Sequence, residues 1–170
     1  MRARFCLACG GRLVDAREGR HLRRRCRRCG WTFYDNPVPA CAAVILRRHR
    51  VLLVLRARPP HAGTWDLPGG FLEAGEHPMV GLKRELREEL GVGLGRARLT
   101  GVVVDRYGRG GFPVLAFVYR VTLAPGPIRP ADDVADARWF PIQAIPLSRV
   151  GFPSIRRALR ALARATATRS

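Results

Sequence analysis

The chain has few negative charges and almost no lysine. It carries 13 acidic residues against 31 basic ones, which gives a formal net charge of +18, and Lys83 is its single lysine. Such a balance attracts polyanions such as nucleotides, nucleic acids or acidic membranes. A bias toward arginine, alanine, glycine and proline along the whole chain explains the charge equally well. The charge alone therefore assigns no nucleic-acid partner.

Long hydrophobic runs are also missing from the sequence. No stretch of eighteen apolar residues occurs, and residues 1–11 contain no hydrophobic signal-peptide core. We therefore expect a cytoplasmic protein with no membrane partner. No Ser-His-Asp or Cys-His arrangement stands out as a nucleophilic centre. The 170 residues are 47% hydrophobic, which suits one domain of ordinary size with a small appendage.

Four of the five cysteines form two C-x-x-C pairs. Cys6 and Cys9 make the first pair, Cys26 and Cys29 make the second, and a glycine follows each pair. Four thiolates at this spacing can form a tetrahedral structural Zn²⁺ site, and reducing cytoplasm disfavours disulfides. We predict a zinc ribbon over residues 1–34 and a stiff, proline-containing linker over residues 35–39. Cys41, in an apolar run, is predicted to be buried.

Arginines cluster around the second cysteine pair, at positions 20, 23, 24, 25, 27 and 28. One interpretation is a surface that binds RNA, DNA or another phosphate-bearing partner. The other is a solvated rim of an arginine-rich protein. The sequence leaves both open.

Residues 70–92 combine a glycine-marked loop with glutamates on a predicted helix, which should begin at Pro78 and end at Gly91. Glu85, Glu88 and Glu89 are spaced i, i+3 and i+4, so they share one helix face. Like charges this close repel one another, and a hard divalent cation such as Mg²⁺ or Mn²⁺ would neutralise them. A solvated acidic face is the alternative interpretation.

The same stretch resembles the sequence box of the Nudix hydrolases. That pattern reads G-x5-E-x7-R-E-U-x-E-E-x-G-U, where U is aliphatic, and the chain fits every specified position. The matching residues are Gly70, Glu76, Arg84, Glu85, Leu86, Glu88, Glu89, Gly91 and Val92. The resemblance implies an α+β fold, an α/β/α Nudix sandwich with a mixed β-sheet over residues 40–170, preceded by the small zinc ribbon.

The resemblance also implies which residues hold the metal. Glu85, Glu88 and Glu89 would bind Mg²⁺ or Mn²⁺, and the carbonyl of Gly69, next to Gly70 of the box, would be a further ligand.

The resemblance further implies that Arg84 pairs with Glu76 and braces the loop against the helix. Because Arg84 precedes Glu85 by one position, we expect its side chain to point to a different helix face. The resemblance implies that the general base is either a glutamate of the box or an acid from a later loop, and Asp133, by its place before a predicted strand, resembles that later acid. Asp132 is the alternative.

The remaining pattern predicts strands at 41–46, 51–58, 97–106, 113–123 and 137–140, and a last helix capped by Ser154. Arg56 and Trp65, next to the box, are our candidates for substrate contact. A loop over residues 108–111 is expected between the third and fourth of these strands.

A zinc ribbon ahead of a Nudix domain resembles the NADH pyrophosphatase branch, but the S-Q-P-W motif of that branch is replaced here by Asp105–Pro113. The expected function is therefore Mg²⁺-dependent hydrolysis of the diphosphate in a nucleoside diphosphate derivative, with ADP-ribose at least as favoured as NADH. The alternatives are a nucleic-acid-binding or ligand-sensing regulator on the Nudix fold, and a hydrolase of nucleotide-capped RNA guided by the ribbon. The sequence leaves monomer and homodimer open.

Overall fold

The computed structural model describes residues 3–108 and 111–167. Its contacts divide the chain into two compact units, Met1–Pro37 and Val38–Ser170. Residues 109 and 110, in the loop predicted at 108–111, lie outside the described residues, as do residues 1–2 and 168–170 at the ends of the predicted domains.

The first unit is a small antiparallel sheet. Its strands, in the order β1-β2-β3, are β1 (Leu13–Glu18), β2 (His21–Cys26) and β3 (Thr32–Phe33). Its buried core consists of Cys6, Leu13 and Cys26. So small an apolar core supplies little stability by itself, which is the usual situation of small domains that depend on a metal.

The second unit is built on a six-stranded mixed sheet. The strands are β4 (Val38–Arg47), β5 (Arg50–Arg56), β6 (Trp65–Asp66), β7 (Leu94–Tyr107), β8 (Phe112–Leu123) and β9 (Val134–Pro141). The order is β6-β5-β4-β8-β7, and β9 pairs with β5. The β4–β8 pair is parallel and the other pairs are antiparallel.

Two helices cover opposite faces of this sheet. Helix α1 (Pro78–Leu90) buries its leucines in a cluster that contains Cys41 and Ala43 of β4, whereas Ala42 belongs to the cluster under helix α2 (Pro153–Ala167). Neighbouring residues of a strand point to opposite faces, so this alternation separates the two cores. The expected α/β/α sandwich is confirmed.

Two sequence-based expectations differ from the structure at element ends. Val38 and Pro39, expected in the linker, begin β4 and pair with Val114 and Leu115 of β8. Ser154 lies inside α2, one residue after Pro153, so it is not the N-cap that we expected. In the residues that the structure describes, no helix combines the length and apolarity that crossing a membrane requires.

Candidate active site

Helix α1 holds the box glutamates between two well-formed ends. Pro78 occupies its first turn, and His77 Nδ1 accepts a hydrogen bond from the backbone N–H of Met79. Gly91 adopts the left-handed conformation (φ 67°), and its N–H donates to the carbonyl of Arg87. A Pro start and a Gly stop are favourable helix boundaries, so α1 presents its side chains on a rigid element.

The loop before α1 approaches the glutamates through two glycines. The N–H of Gly69 donates to Glu89 Oε2 at 2.8 Å. A Cβ on Gly69 would overlap the carbonyl oxygen of Cys41, and one on Gly70 would lie 2.5 Å from Glu85 Oε1. Glycine at position 69 therefore lets the loop pass close to the backbone of β4, and glycine at position 70 leaves room for the carboxylate of Glu85.

Arg84 points toward the glutamates, so our expectation that it faces another side of the helix is wrong. Its Nη1 donates to Glu85 Oε1 at 2.8 Å and to Glu88 Oε2 at 2.9 Å. Its Nε and Nη2 donate to the two oxygens of Glu76, at 3.1 and 3.0 Å. The long, flexible side chain of arginine crosses the angle that separates adjacent helix positions.

Gly81 is a site residue that the sequence pattern did not reveal. It lies inside α1, where a Cβ would overlap Leu72 Cδ2 and would lie 2.9 Å from Glu76 Oε2. Alanine would normally be preferred at an internal helix position. The glycine thus leaves room for Glu76 to reach Arg84, and its unfavourable place in a helix was the signal that could have found it.

The glutamates occupy different electrostatic environments. Burial raises the pKa of Glu89 to about 9, with a contribution from the negative charge of Glu85. Burial also raises the pKa of Glu85. Hydrogen bonds from Arg84 lower the pKa of Glu76. Glu76 is thus held as an anion by its arginine, whereas Glu85 and Glu89 crowd negative charge that burial disfavours.

A cleft of about 290 Å³ opens beside these glutamates. Glu85, Glu89 and Asp133 line it together with Gly69 and Gly70. Glu88 is the exposed member of the trio, with a side-chain exposure of 46%. The structure therefore brings most of the predicted site residues to one cleft, and Glu88 is not among the residues that line it.

Of the two candidate substrate residues, the structure places one in the cleft. Arg56 lines it and is fixed on three sides, because it donates to Pro60 O at 2.9 Å, to Asp66 Oδ2 at 3.3 Å and to the hydroxyl of Tyr107 at 3.3 Å. Trp65 is instead 3% exposed and packs edge-on against Phe140, so it lies in the core under α2.

The two adjacent aspartates before β9 differ in their surroundings. Asp132 is exposed and lies 3.8 Å from Arg58. Asp133 is half-buried, and its negative charge contributes to the raised pKa values of Glu85 and Glu89. Both line the cleft, but Asp133 is the one coupled to the glutamates.

The carboxylates of the site offer the type of ligand atom that a hard divalent cation prefers. Glu85 and Glu88 each accept a hydrogen bond from the same nitrogen, Arg84 Nη1, so Arg84 brings the two carboxylates close together. Glu89, 5% exposed, adds a buried carboxylate whose oxygen is held by the Gly69 amide. Carboxylate and carbonyl oxygens are the ligands that Mg²⁺ and Mn²⁺ prefer.

The four predicted cysteines also come together, within the first unit. Their sulfurs lie within 4.8 Å of one another, with Cys6–Cys29 and Cys9–Cys26 at 3.6 Å and Cys9–Cys29 at 3.4 Å. Tetrahedral Zn–S bonds of about 2.3 Å place sulfurs roughly 3.8 Å apart. The cluster is therefore compatible with a four-thiolate zinc site.

Backbone turns form both cysteine knuckles. The N–H of Gly10 donates to the carbonyl of Cys6, and the N–H of Gly30 donates to the carbonyl of Cys26. Both glycines have positive φ angles. A Cβ on Gly11 would lie 3.0 Å from Cys26 Sγ, so this residue too lets the backbone approach the sulfurs.

The comparison with protein families assigns the second unit. The model of the NUDIX domain matches residues 36–162. The chain belongs to the Nudix family.

An ADP-ribose pyrophosphatase of Methanocaldococcus jannaschii is 31% identical over 118 residues, which cover 68% of this chain and 69% of that protein. The NAD-capped RNA hydrolase NudC of Pseudomonas aeruginosa is 31% identical over 149 residues, 84% of this chain and 49% of NudC. The Nudix chain thus spans about half the length of that relative.

Solved structures of Nudix proteins have the same fold. A Nudix hydrolase of Nitrosomonas europaea superposes with a TM-score of 0.75 at 26% identity, covering 95% of this chain and 91% of that one. A MutT Nudix hydrolase of Burkholderia pseudomallei superposes with a TM-score of 0.67 at 34% identity, covering 74% and 97%. The Nitrosomonas structure therefore aligns with nearly the whole of this chain.

Proposed function

We propose that this Nudix protein is a divalent-metal-dependent pyrophosphohydrolase that cleaves the diphosphate of a nucleoside diphosphate derivative. The observation that carries the proposal is the cleft in which Glu85 and Glu89 of a complete Nudix box meet Arg56 and several aromatic side chains. The carboxylates supply a metal-binding end. The arginine and the aromatic rings supply groups that bind phosphate and nucleoside.

The metal ligands of this proposal are Glu85, Glu88 and Glu89, with the Gly69 carbonyl as a further candidate. Mg²⁺ or Mn²⁺ bound there would neutralise phosphoryl oxygens and lower the pKa of an attacking water. Arg84 positions two of the ligands and ties them to Glu76. In the four-cysteine cluster we propose a structural Zn²⁺, which leaves no ligand position for chemistry.

Asp133 is the proton acceptor in this proposal. It lines the cleft beside Glu85 and Glu89, and a carboxylate within reach of a water molecule can act as a general base. Asp132 is the weaker candidate because its carboxylate is exposed and lies near Arg58.

The decisive experiment is the Glu89→Gln variant. It keeps the shape of the side chain and an oxygen that can accept from the N–H of Gly69, but it cannot form the anion that a bound cation would stabilise. We expect hydrolysis of ADP-ribose with Mg²⁺ to fall by about a hundredfold or more, measured as released phosphomonoester. Asp136→Asn, on β9 and paired with Arg138, is the matched control and should keep full activity. Full activity of Glu89→Gln would contradict the proposal.

The substrate screen should begin with ADP-ribose and include NADH, diadenosine polyphosphates and oxidised nucleoside triphosphates. Similarity to an ADP-ribose pyrophosphatase supports the first choice, and the missing S-Q-P-W motif weighs against NADH. Tight binding of such a compound by the wild-type protein, without turnover at any metal concentration, would instead favour the ligand-sensing alternative.

A second candidate function is hydrolysis of nucleotide-capped RNA. Two observations favour it, the similarity to NudC and the arginines of the first unit. Arg24 and Arg25 are engaged within that unit, by Asp15 and by the Gly30 carbonyl. Arg20 and Arg27 are exposed and are the better candidates for contact with RNA.

The double variant Arg20→Ala/Arg27→Ala tests this second function. Removal of two phosphate contacts should slow the hydrolysis of capped RNA at low salt and make its rate less dependent on salt concentration. The rate of hydrolysis of free NAD should not change. Arg96→Ala, an exposed arginine of β7, is the control. An equal response of capped RNA and free NAD would contradict a role of the ribbon in RNA binding.

A further inference from the structure

We propose that the cleft contains a nucleobase slot in which Asp105 selects bases that carry an exocyclic amine. The inference rests on the proposed function, because it concerns the substrate of the same site. It follows from the floor of the cleft, from its aromatic side and from the fixed position of one carboxylate.

The floor of the cleft is made of small side chains on one face of the sheet. Ala40 of β4 pairs with Ala116 of β8, which pairs with Val103 of β7, and all three line the cleft. Ala42, two positions along β4, continues the same face. Alanines in three neighbouring positions leave a shallow apolar space where larger side chains would fill it.

Aromatic rings stand at the side of this floor. The rings of Phe71 and Tyr107 meet edge-on at 4.9 Å, and Phe152 lies nearly parallel to Tyr107 at 5.7 Å with an interplanar angle of 12°. All three line the cleft. A flat apolar floor next to aromatic rings suits a planar base, since stacking on aromatic side chains is a common means of binding nucleobases.

Asp105 is the acidic group of this part of the cleft, on the same sheet face as Val103. Its Oδ1 accepts from the N–H of Arg106 at 2.8 Å, and its Oδ2 accepts from the N–H of Ser154, in the first turn of α2, at 3.0 Å. These bonds fix the carboxylate. The Ser154 side chain also forms a hydrogen bond with Asp105. An ionised carboxylate has about four acceptor positions, so capacity for one more donor remains.

The charge of Asp105 decides which groups of a nucleobase it can bind. Burial acts to raise the pKa of Asp105, but hydrogen bonds from Ser154 and Arg106 outweigh it and hold the pKa below its usual range. The group is therefore an acceptor only. It attracts the amine of adenine and repels a keto oxygen at the same ring position. The diphosphate would then lie toward Glu85 and Glu89, where a cation can neutralise it.

The experiment compares AMP with IMP, which differ in the amine or keto group at one ring position. Calorimetry in the presence of Mg²⁺ should show AMP binding about tenfold more tightly than IMP to the wild-type protein. In Asp105→Asn the preference should vanish or reverse, because the amide can donate to the keto oxygen while its own oxygen still accepts from Ser154. A loss of affinity by the same factor for both nucleotides would show a purely structural role of Asp105 and overturn the inference.

A second variant tests the slot without touching α2. Ala116→Leu fills the floor and should weaken binding of both AMP and IMP by about tenfold or more. Val104→Leu, which is 62% exposed on the opposite face of the sheet, is the control and should bind both like the wild type. Unchanged binding by Ala116→Leu would overturn the slot.

The outcomes separate this inference from the proposed function. Hydrolysis of ADP-ribose by a protein that shows equal or undetectable binding of AMP and IMP would overturn the slot and leave the hydrolase intact. A clear preference for AMP without hydrolysis would support the slot and contradict the hydrolase.

Discussion

Arg84 and Glu76 form a two-point contact, in which Arg84 Nε and Nη2 donate to the two oxygens of Glu76 at 3.1 and 3.0 Å. Nη2 also donates to the carbonyl of Phe71 at 2.9 Å. One guanidinium thus joins the loop to α1 while its remaining nitrogen holds Glu85 and Glu88. The loop that carries Gly69 and the helix that carries the glutamates are positioned by the same side chain.

Arg84→Lys should therefore loosen the site although it keeps the charge. A lysine ammonium is a single point that cannot bond both oxygens of Glu76 and two further glutamates at once. We expect a Tm lower by a few degrees and activity reduced by roughly 10–100-fold, measured by thermal unfolding and by release of phosphomonoester from ADP-ribose. Arg87→Lys, exposed on the same helix, is the control. Equal Tm values for Arg84→Lys and the wild type would show that the two-point contact with Glu76 does not stabilise the protein.

Gly81→Ala should destabilise the protein, against the usual effect of this substitution in a helix. The general helix preference favours alanine by about 1 kcal/mol, but here the methyl group would overlap Leu72 and crowd Glu76. Overpacking typically costs about 1–3 kcal/mol, so we expect a net loss in the free energy of unfolding. Chemical denaturation measures it. At Gly101 a Cβ meets nothing within 4 Å, so Gly101→Ala should cause no comparable loss, and equal effects of the two would contradict the explanation.

What could be predicted from the sequence was local. The start of α1 at Pro78, its stop at Gly91 and the two cysteine knuckles depend on residues within a few positions of one another, and the structure places them as expected. The runs of apolar residues likewise predicted the long strands, although the observed ends differ from the predicted ones by a few residues.

What could not be predicted depends on contacts between distant segments. The cap of α2 comes from Asp105, 49 positions before Ser154, so the local Ser signal pointed to the wrong residue. Trp65 lies next to the box in sequence but in the core in space. The direction of Arg84 depends on where Glu76 lies after the loop folds, which helix geometry alone does not specify.

Removal of the zinc ion that we propose for the four-cysteine cluster should unfold the first unit. Cys6 and Cys26 make up most of its small buried core with Leu13, and structural zinc sites contribute their binding free energy to folding. We expect one zinc per chain in the wild type, released by a strong chelator with loss of the dispersed NMR signals of β1 and β2. Cys6→Ser should lose the metal, and Cys41→Ser should retain it. Full signal dispersion in the metal-free protein would contradict a structural role.

Asp66→Asn should change the pH dependence of stability. Burial raises the pKa of Asp66 from 3.8 to about 6, although the charge of Arg56 acts to lower it. A carboxyl group whose pKa is raised by folding stabilises the folded state below its ordinary pKa, and this contribution is lost as the pH rises through about 6. The wild type therefore carries an unfavourable buried charge at pH 8 that the amide avoids.

The quantity to compare is the free energy of unfolding of Asp66→Asn minus that of the wild type. This difference should be more favourable to the variant at pH 8 than at pH 4, by at most about 3 kcal/mol. Denaturation at the two pH values measures the difference. A difference between Asp66→Asn and the wild type that stays constant from pH 4 to pH 8 would contradict the raised pKa.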